Sequence, residues 1–86
     1  MKALAQFVKQ RNQFNSVFGI APLDLTVAAD RQRIAEIVDS ALSPENLTCD
    51  GELPASQVRQ RQAFLFRCAE ELISIDPTVT FYELSV

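Results

Sequence analysis

Histidine and tryptophan are both absent from this 86-residue sequence, which carries 11 acidic and 8 basic side chains and a formal net charge of -3. A chain without histidine lacks the usual general base of enzymes and the commonest side-chain metal ligand. Its adjacent carboxylates, such as Glu70 and Glu71, are explained by ion pairing with Arg67 on a helix surface. The sequence therefore predicts no enzymatic activity, no metal site and no cofactor.

Cysteine is scarce as well, and the two cysteines, Cys49 and Cys68, do not have the spacing of a metal-binding motif. No long hydrophobic run is present, so the sequence predicts neither a signal peptide nor a membrane span. We expect a cytoplasmic protein with two free thiols. Of these, Cys68 lies on an apolar helix face, whereas Cys49 lies in a loop and is the more reactive.

The net negative charge also means that the chain as a whole lacks the positive field that attracts nucleic acids or anionic membranes. Its hydrophobic content of 48% is typical of a globular domain. No repeat, low-complexity tract or linker divides the chain. We expect residues 1–86 to form a single helical domain.

The first apolar pattern recurs with helical spacing and forms a stripe about 120° wide. Gly19 is placed to end this helix, and Pro22 prevents its continuation. Arg11 interrupts the stripe. The apolar positions are Leu4, Phe7, Val8, Phe14 and Phe18.

A second helix is predicted after Asp24 or Thr26, either of which can cap its N-terminus. A short helical turn should follow from Pro44 to Leu47, capped by Ser43. The apolar face of the second helix consists of Val27, Ile34, Ile37, Val38, Ala41 and Leu42.

The third and longest helix is predicted from Pro54 to about Ile75, where Asp76 and Pro77 end it. Its apolar face is about 200° wide, which is more than one neighbouring helix can cover. Either this helix is central in the fold or part of it contacts another protein. The face comprises Val58, Leu65, Cys68, Ala69, Leu72 and Ile73, flanked by Phe64, Phe66 and Ile75.

The C-terminal tail changes character, because residues 78–84 are rich in β-branched and aromatic side chains that favour a strand. Three alternatives remain for it. The tail pairs with the segment 17–23, adds to a second chain, or forms one helical turn capped by Asp76. The predicted fold class is all-α: a compact three-helix bundle with a short extra turn and a C-terminal apolar tail, with a short strand as an option.

Two arginines, Arg11 and Arg61, lie where apolar residues are expected. Their stems can pack while the guanidinium groups reach solvent or pair with Asp30, or else they anchor a partner together with Arg59. We expect a partner-binding surface among six arginine and aromatic residues: Arg59, Arg61, Phe64, Phe66, Phe81 and Tyr82.

These observations favour a small protein–protein interaction module, a regulator, inhibitor or adaptor, and include homodimerisation. The alternative is a nucleic-acid-binding regulator, because residues 53–61 resemble the start of a helix-turn-helix recognition helix. In that case Gln57, Arg59 and Gln60 would contact base edges or phosphates. Binding to a membrane is not expected.

Overall fold

The protein is an all-α domain in a computed structural model that describes residues 2–48 and 54–83. Within these ranges the chain forms four helices and no strand: α1 (Lys2–Val17), α2 (Ala28–Ala41), α3 (Pro44–Thr48) and α4 (Ala55–Ile75). The predicted fold class is confirmed, as are the three long helices and the short turn between the second and the third. None of the helices in the described ranges is long and apolar enough to cross a membrane.

Helix α1 ends just before Gly19, which adopts a left-handed backbone conformation. Gly19 has a φ of 68°, in the left-handed region that residues with a Cβ rarely adopt. The backbone N–H of Ile20 donates to the carbonyl oxygen of Asn15 at 2.9 Å, which satisfies one of the last carbonyls of the helix. The predicted C-terminus of this helix is therefore confirmed.

The buried face of α1 differs from the predicted stripe. Phe14 and Phe18 are 49% and 64% exposed, so their assignment to the core is wrong. The helix packs on α4 through a face that also includes Asn15, which is only 4% exposed. Because this face passes through Arg11 and Asn15, it leaves the two phenylalanines at its edge. The buried residues of α1 are Ala3, Leu4, Val8 and Asn15.

The N-terminus of α2 lacks the predicted side-chain cap. Its N-cap residue is Val27, which makes no side-chain hydrogen bond. The Asp24 carboxylate instead accepts hydrogen bonds from the backbone N–H and the hydroxyl of Thr26, at 2.9 and 2.7 Å. Asp24 thus stabilises the turn before the helix, because its carboxylate reaches Thr26 before it can reach a helical N–H.

Helix α4 is central, because it packs against α1, α2 and α3. It buries Leu65, Cys68, Ala69 and Leu72. This arrangement explains the width of its apolar face: three other helices share it. The loop predicted between the turn and α4 falls largely on residues 49–53, which lie outside the described ranges.

The tail folds back along α2 of its own chain. Beyond a turn at Asp76, the N–H of Thr80 donates to Oε1 of Gln32 at 3.1 Å, and the N–H groups of Tyr82 and Glu83 both donate to Oδ1 of Asp39 at 2.8 Å. Side chains of α2 therefore satisfy three backbone N–H groups of the described part of the tail, where a strand partner would otherwise accept.

The two aromatic side chains of the tail differ in burial. Phe81 lies in the core and is 6% exposed, whereas Tyr82 is 74% exposed. Among the residues described, the segment after α1 forms no hydrogen bond with the tail. It is held by Asn12, whose side chain exchanges two hydrogen bonds with the backbone of Leu23, at 2.7 and 3.0 Å.

Candidate functional site

An open groove with a volume of about 1050 Å³ separates α1 from α2. Both helices pack mainly on α4. The segment between α1 and α2 lies at one end, and α3 lies at the other. There Nδ2 of Asn46 donates to the carbonyl oxygen of Ser40 at 2.7 Å, which holds α3 against the end of α2. We call this feature the α1–α2 groove.

Arg11 lines the groove and carries a polar atom without a hydrogen-bond partner in the described part of the chain. Its Nε is buried and has no hydrogen-bond partner among the described residues. Its guanidinium carbon lies 4.8 Å from the centre of the Phe14 ring, which is a cation–π distance. The predicted pairing of Arg11 with Asp30 is not present, because Asp30 accepts hydrogen bonds from the N–H of Asp24 and from Nη1 of Arg33.

Asn15, one turn further along α1, also lines the groove. Its backbone carbonyl accepts hydrogen bonds from residues 18 and 20, but within the described ranges none joins its side-chain amide to another residue. Of these two residues, Arg11 carries a fully buried polar atom without a partner among the residues described, its Nε, and burying such a group costs about 1–3 kcal/mol. Arg11 and Asn15 therefore form a pair of polar groups suited to a ligand with hydrogen-bond acceptors.

Charged side chains of both signs line the groove. Three of the chain's eight basic side chains line it, Arg11, Arg33 and Arg61, against two carboxylates, Glu36 and Glu45. The charge of Arg33 is partly neutralised, because its Nη1 lies 3.1 Å from Oδ1 of Asp30. An acidic chain thus places three of its arginines along this groove.

An exposed cluster of large apolar side chains adjoins the groove at the end of α1. We call it the apolar patch; it consists of Phe14, Val17, Phe18 and Ile20. Ile20 belongs to both features, because it also lines the groove. The rings of Phe14 and Phe18 stack in a tilted arrangement with their centres 4.9 Å apart. The apolar lining of the groove adds Ala21, Leu23, Ile37 and Ala41.

The six residues expected to bind a partner do not form one surface. Arg61 lines the α1–α2 groove, and Arg59 and Tyr82 are exposed elsewhere. Phe64 and Phe66 are half-buried against the core. Two residues apart on a helix, they point about 160° away from each other and cannot join in one patch. The fully buried Phe81 belongs to the core.

Phe66 instead lines a second, smaller cavity of about 320 Å³ together with Leu47, Val58 and Glu83. This cavity lies on the side of α4 next to the tail. Arg59 and Phe66, seven residues apart, share this side of α4. The recognition-helix residues Gln57, Arg59 and Gln60 are exposed on the first turns of α4.

The thiol of Cys68 is free and buried among the helices. Burial, and to a smaller degree the nearby Glu71 carboxylate, raise the pKa of this thiol to about 11. A thiol that stays protonated is a poor nucleophile. Cys68 therefore acts as a packing residue, and the other cysteine, Cys49, lies outside the described residues.

The α1–α2 groove and the apolar patch were not predicted from the sequence, for one reason. The helical stripe was centred on phenylalanine, whereas the buried face follows Leu4, Val8, Arg11 and Asn15, at spacings of four, three and four residues. That spacing is itself helical and was available in the sequence. It indicates two polar residues on an apolar face.

Comparisons of the chain with protein-family models, with curated proteins and with solved structures found no match. The fold and the groove define a small all-α domain with an open groove, lined by three arginines and two glutamates, beside the exposed apolar patch. Any function assigned to it depends on these features alone.

Proposed function

We propose that this protein is a small protein–protein interaction module, a regulator, inhibitor or adaptor, that binds another protein through the α1–α2 groove and the apolar patch. One observation carries the proposal. The four large side chains of the patch are between 49% and 78% exposed; Phe14 and Phe18 are in contact, and Ile20 lines the groove. Contiguous exposed apolar surface of this kind is typical of interaction sites.

The composition of this surface suits a binding site. Aromatic residues and arginine are enriched among the side chains that dominate interface energies. Phe14 already contacts both Phe18 and the guanidinium group of Arg11, at 4.9 and 4.8 Å. Side chains held in place before binding lose less conformational entropy when a partner arrives.

The proposal retains Arg61 from the predicted partner-binding residues, because it lines the groove. Tyr82 and Arg59 are exposed but do not line the groove. In this proposal the protein acts in the cytoplasm by binding and does not catalyse a reaction. A second copy of the chain is one of the partners that the apolar patch can accept.

Photo-crosslinking in the native host tests the proposal. Phe18 is replaced by the photoreactive analogue benzoylphenylalanine, which keeps an aromatic ring at a position that is 64% exposed. We expect a light-dependent adduct with one protein species, identified by mass spectrometry. An adduct with the chain itself would indicate homodimerisation.

The matched control places the same analogue at Lys9, an exposed residue on the opposite face of α1. We expect no specific adduct from this position. Equal labelling from Phe18 and Lys9, or no adduct from Phe18, would contradict the proposal.

A further inference from the structure

We infer that the α1–α2 groove accepts an amphipathic helix of a partner protein, and that a carboxylate on the apolar face of this helix binds Arg11 and Asn15. This inference rests on the proposed function and specifies the chemistry of the partner. It follows from the donors, the charges and the shape of the groove.

The hydrogen-bond donors of Arg11 and Asn15 favour a partner that carries a hydrogen-bond acceptor. Arg11 and Asn15 are four residues apart on α1, so their side chains are neighbours on the helix surface. The Nε of Arg11 is buried without a partner, and the residue Asn15 is 96% buried with an unpartnered amide, both within the described part of the chain. A carboxylate can accept from the guanidinium group of Arg11 and from the amide of Asn15, since both residues line the groove, and charge-assisted hydrogen bonds to arginine are stronger than neutral ones.

The charges select an acidic partner. Arg33 is paired with Asp30, and Glu36 and Glu45 line the groove as well, so the positive charge next to Asn15 is that of Arg11. Outside the groove the excess of carboxylates would repel an acidic segment, so attraction is confined to this recess. A basic side chain placed beside Asn15 would instead meet the like charge of Arg11.

The shape of the α1–α2 groove favours a helix as the bound segment. In a four-helix bundle, neighbouring helices cover both sides of each groove, and here α1 and α2 pack on α4 without covering the groove between them. A fourth helix placed there would bury Ile37 and Ala41 of α2, which line it. Binding of an amphipathic helix in such a groove is a common mode of peptide recognition.

A free small carboxylic acid fits less well. Small ligands bury most of their surface in a pocket. The groove is open along one side, and Phe14, Val17 and Phe18 continue its apolar surface beyond the recess. A ligand held only in the groove would leave these three side chains in water, whereas a helix several turns long covers them.

Selection from a library tests the inference. The full-length chain is used to select from a phage-displayed library of helical peptides in which one face is randomised. We expect enriched peptides to carry aspartate or glutamate among apolar residues on that face. The best peptide and its acid-to-amide variant are then titrated by fluorescence anisotropy against the wild-type chain, Arg11→Met and the control Arg59→Met.

The expected result is a coupling between the two charges. The acid-to-amide change should weaken binding about tenfold to wild type and to Arg59→Met, but less than about twofold to Arg11→Met. Circular dichroism confirms that each variant is folded. Equal losses on all three proteins, or enriched peptides without an acidic residue, would overturn the inference and leave the proposed function standing.

Two other outcomes would also overturn it. No enrichment at all, together with no adduct from position 18, would overturn the inference and the proposed function together. A chain that is dimeric by analytical ultracentrifugation, and becomes monomeric with Phe18→Ser, would show that a second copy occupies this surface.

Discussion

The Nε of Arg31 lies 2.7 Å from Oδ2 of Asp76, and this ion pair joins residues 45 positions apart in the sequence. It connects the first turns of α2 to the end of α4. Nη1 of Arg31 also donates to the carbonyl oxygen of Leu25 at 3.0 Å, and Oδ1 of Asp76 accepts from the N–H and the hydroxyl of Thr78. Asp76 therefore both holds α2 and starts the turn that directs the tail along it.

The first prediction concerns acid stability. Hydrogen bonds from Thr78, and then from Arg31, lower the pKa of Asp76 from 3.8 to about 2. A carboxyl group with a lowered pKa stabilises the fold above its unfolded-state pKa, and this contribution disappears as the pH falls from about 4 to 2. We expect Asp76→Asn to melt at a lower temperature than wild type at pH 7, and the difference to shrink towards pH 2. Thermal melts across this range measure it, and parallel curves for the two proteins would argue against the role of Asp76.

The second prediction is that the tail belongs to the core. Phe81 is 6% exposed, and truncating a buried phenylalanine to alanine typically costs about 3–5 kcal/mol. We expect Phe81→Ala to lower the free energy of unfolding by an amount of this order in urea titrations. The control is the neighbouring Tyr82→Ala, which should change it by about 0.5 kcal/mol or less because Tyr82 is exposed. Equal effects would show that the tail is not packed as described.

The third prediction concerns thiol reactivity. The pKa of Cys68 is raised to about 11 by burial, so its thiol should not react with an aromatic disulfide reagent at pH 8 in the folded protein. In a Cys49→Ser variant, where Cys68 is the remaining cysteine, we expect reaction only after urea is added. Rapid labelling of the folded variant would refute the buried position of Cys68.

The fourth prediction isolates backbone strain at Gly19. A Cβ added there meets no atom within 4 Å, so a substitution is affected only by the left-handed φ of 68°. We expect Gly19→Ala to destabilise the protein by about 1–2 kcal/mol. Gly19→Asn should cost less, because asparagine tolerates this conformation better. Urea titrations of both variants provide the measurement, and an alanine variant as stable as wild type would contradict it.

The fifth prediction separates a binding arginine from a structural one. Arg11→Met removes a buried, unsatisfied Nε together with a cation–π contact, so we expect the free energy of unfolding to stay within about 1 kcal/mol of wild type. Arg31→Met removes the ion pair with Asp76 and should clearly lower the melting temperature. If Arg11→Met is the more destabilised of the two, Arg11 is needed for the fold.

Helix positions were predictable because they depend on local chemistry. Apolar spacing located α1, α2 and α4, and Gly19, Pro44 and Pro77 marked where helices end or begin. The all-α class follows from these local signals. The cap of α2 was not predictable in this way. The Asp24 carboxylate can either cap the helix or accept hydrogen bonds from Thr26 in the preceding turn, and in the structure it does the latter.

The candidate site was predictable only in part. The sequence by itself determined the helices and singled out Arg11 and Arg61 as polar residues on apolar faces. Which face of α1 packs on α4, and hence the burial of Asn15 and the exposure of Phe14 and Phe18, was decided by the tertiary structure. The path of the tail was decided in the same way, by Gln32, Asp39 and the pairing of Arg31 with Asp76. The physical reason is that helical periodicity depends on neighbours within a few residues, whereas burial depends on contacts between segments far apart in the chain. A small rotation of a helix about its axis buries a different side chain, and the local sequence does not fix that rotation.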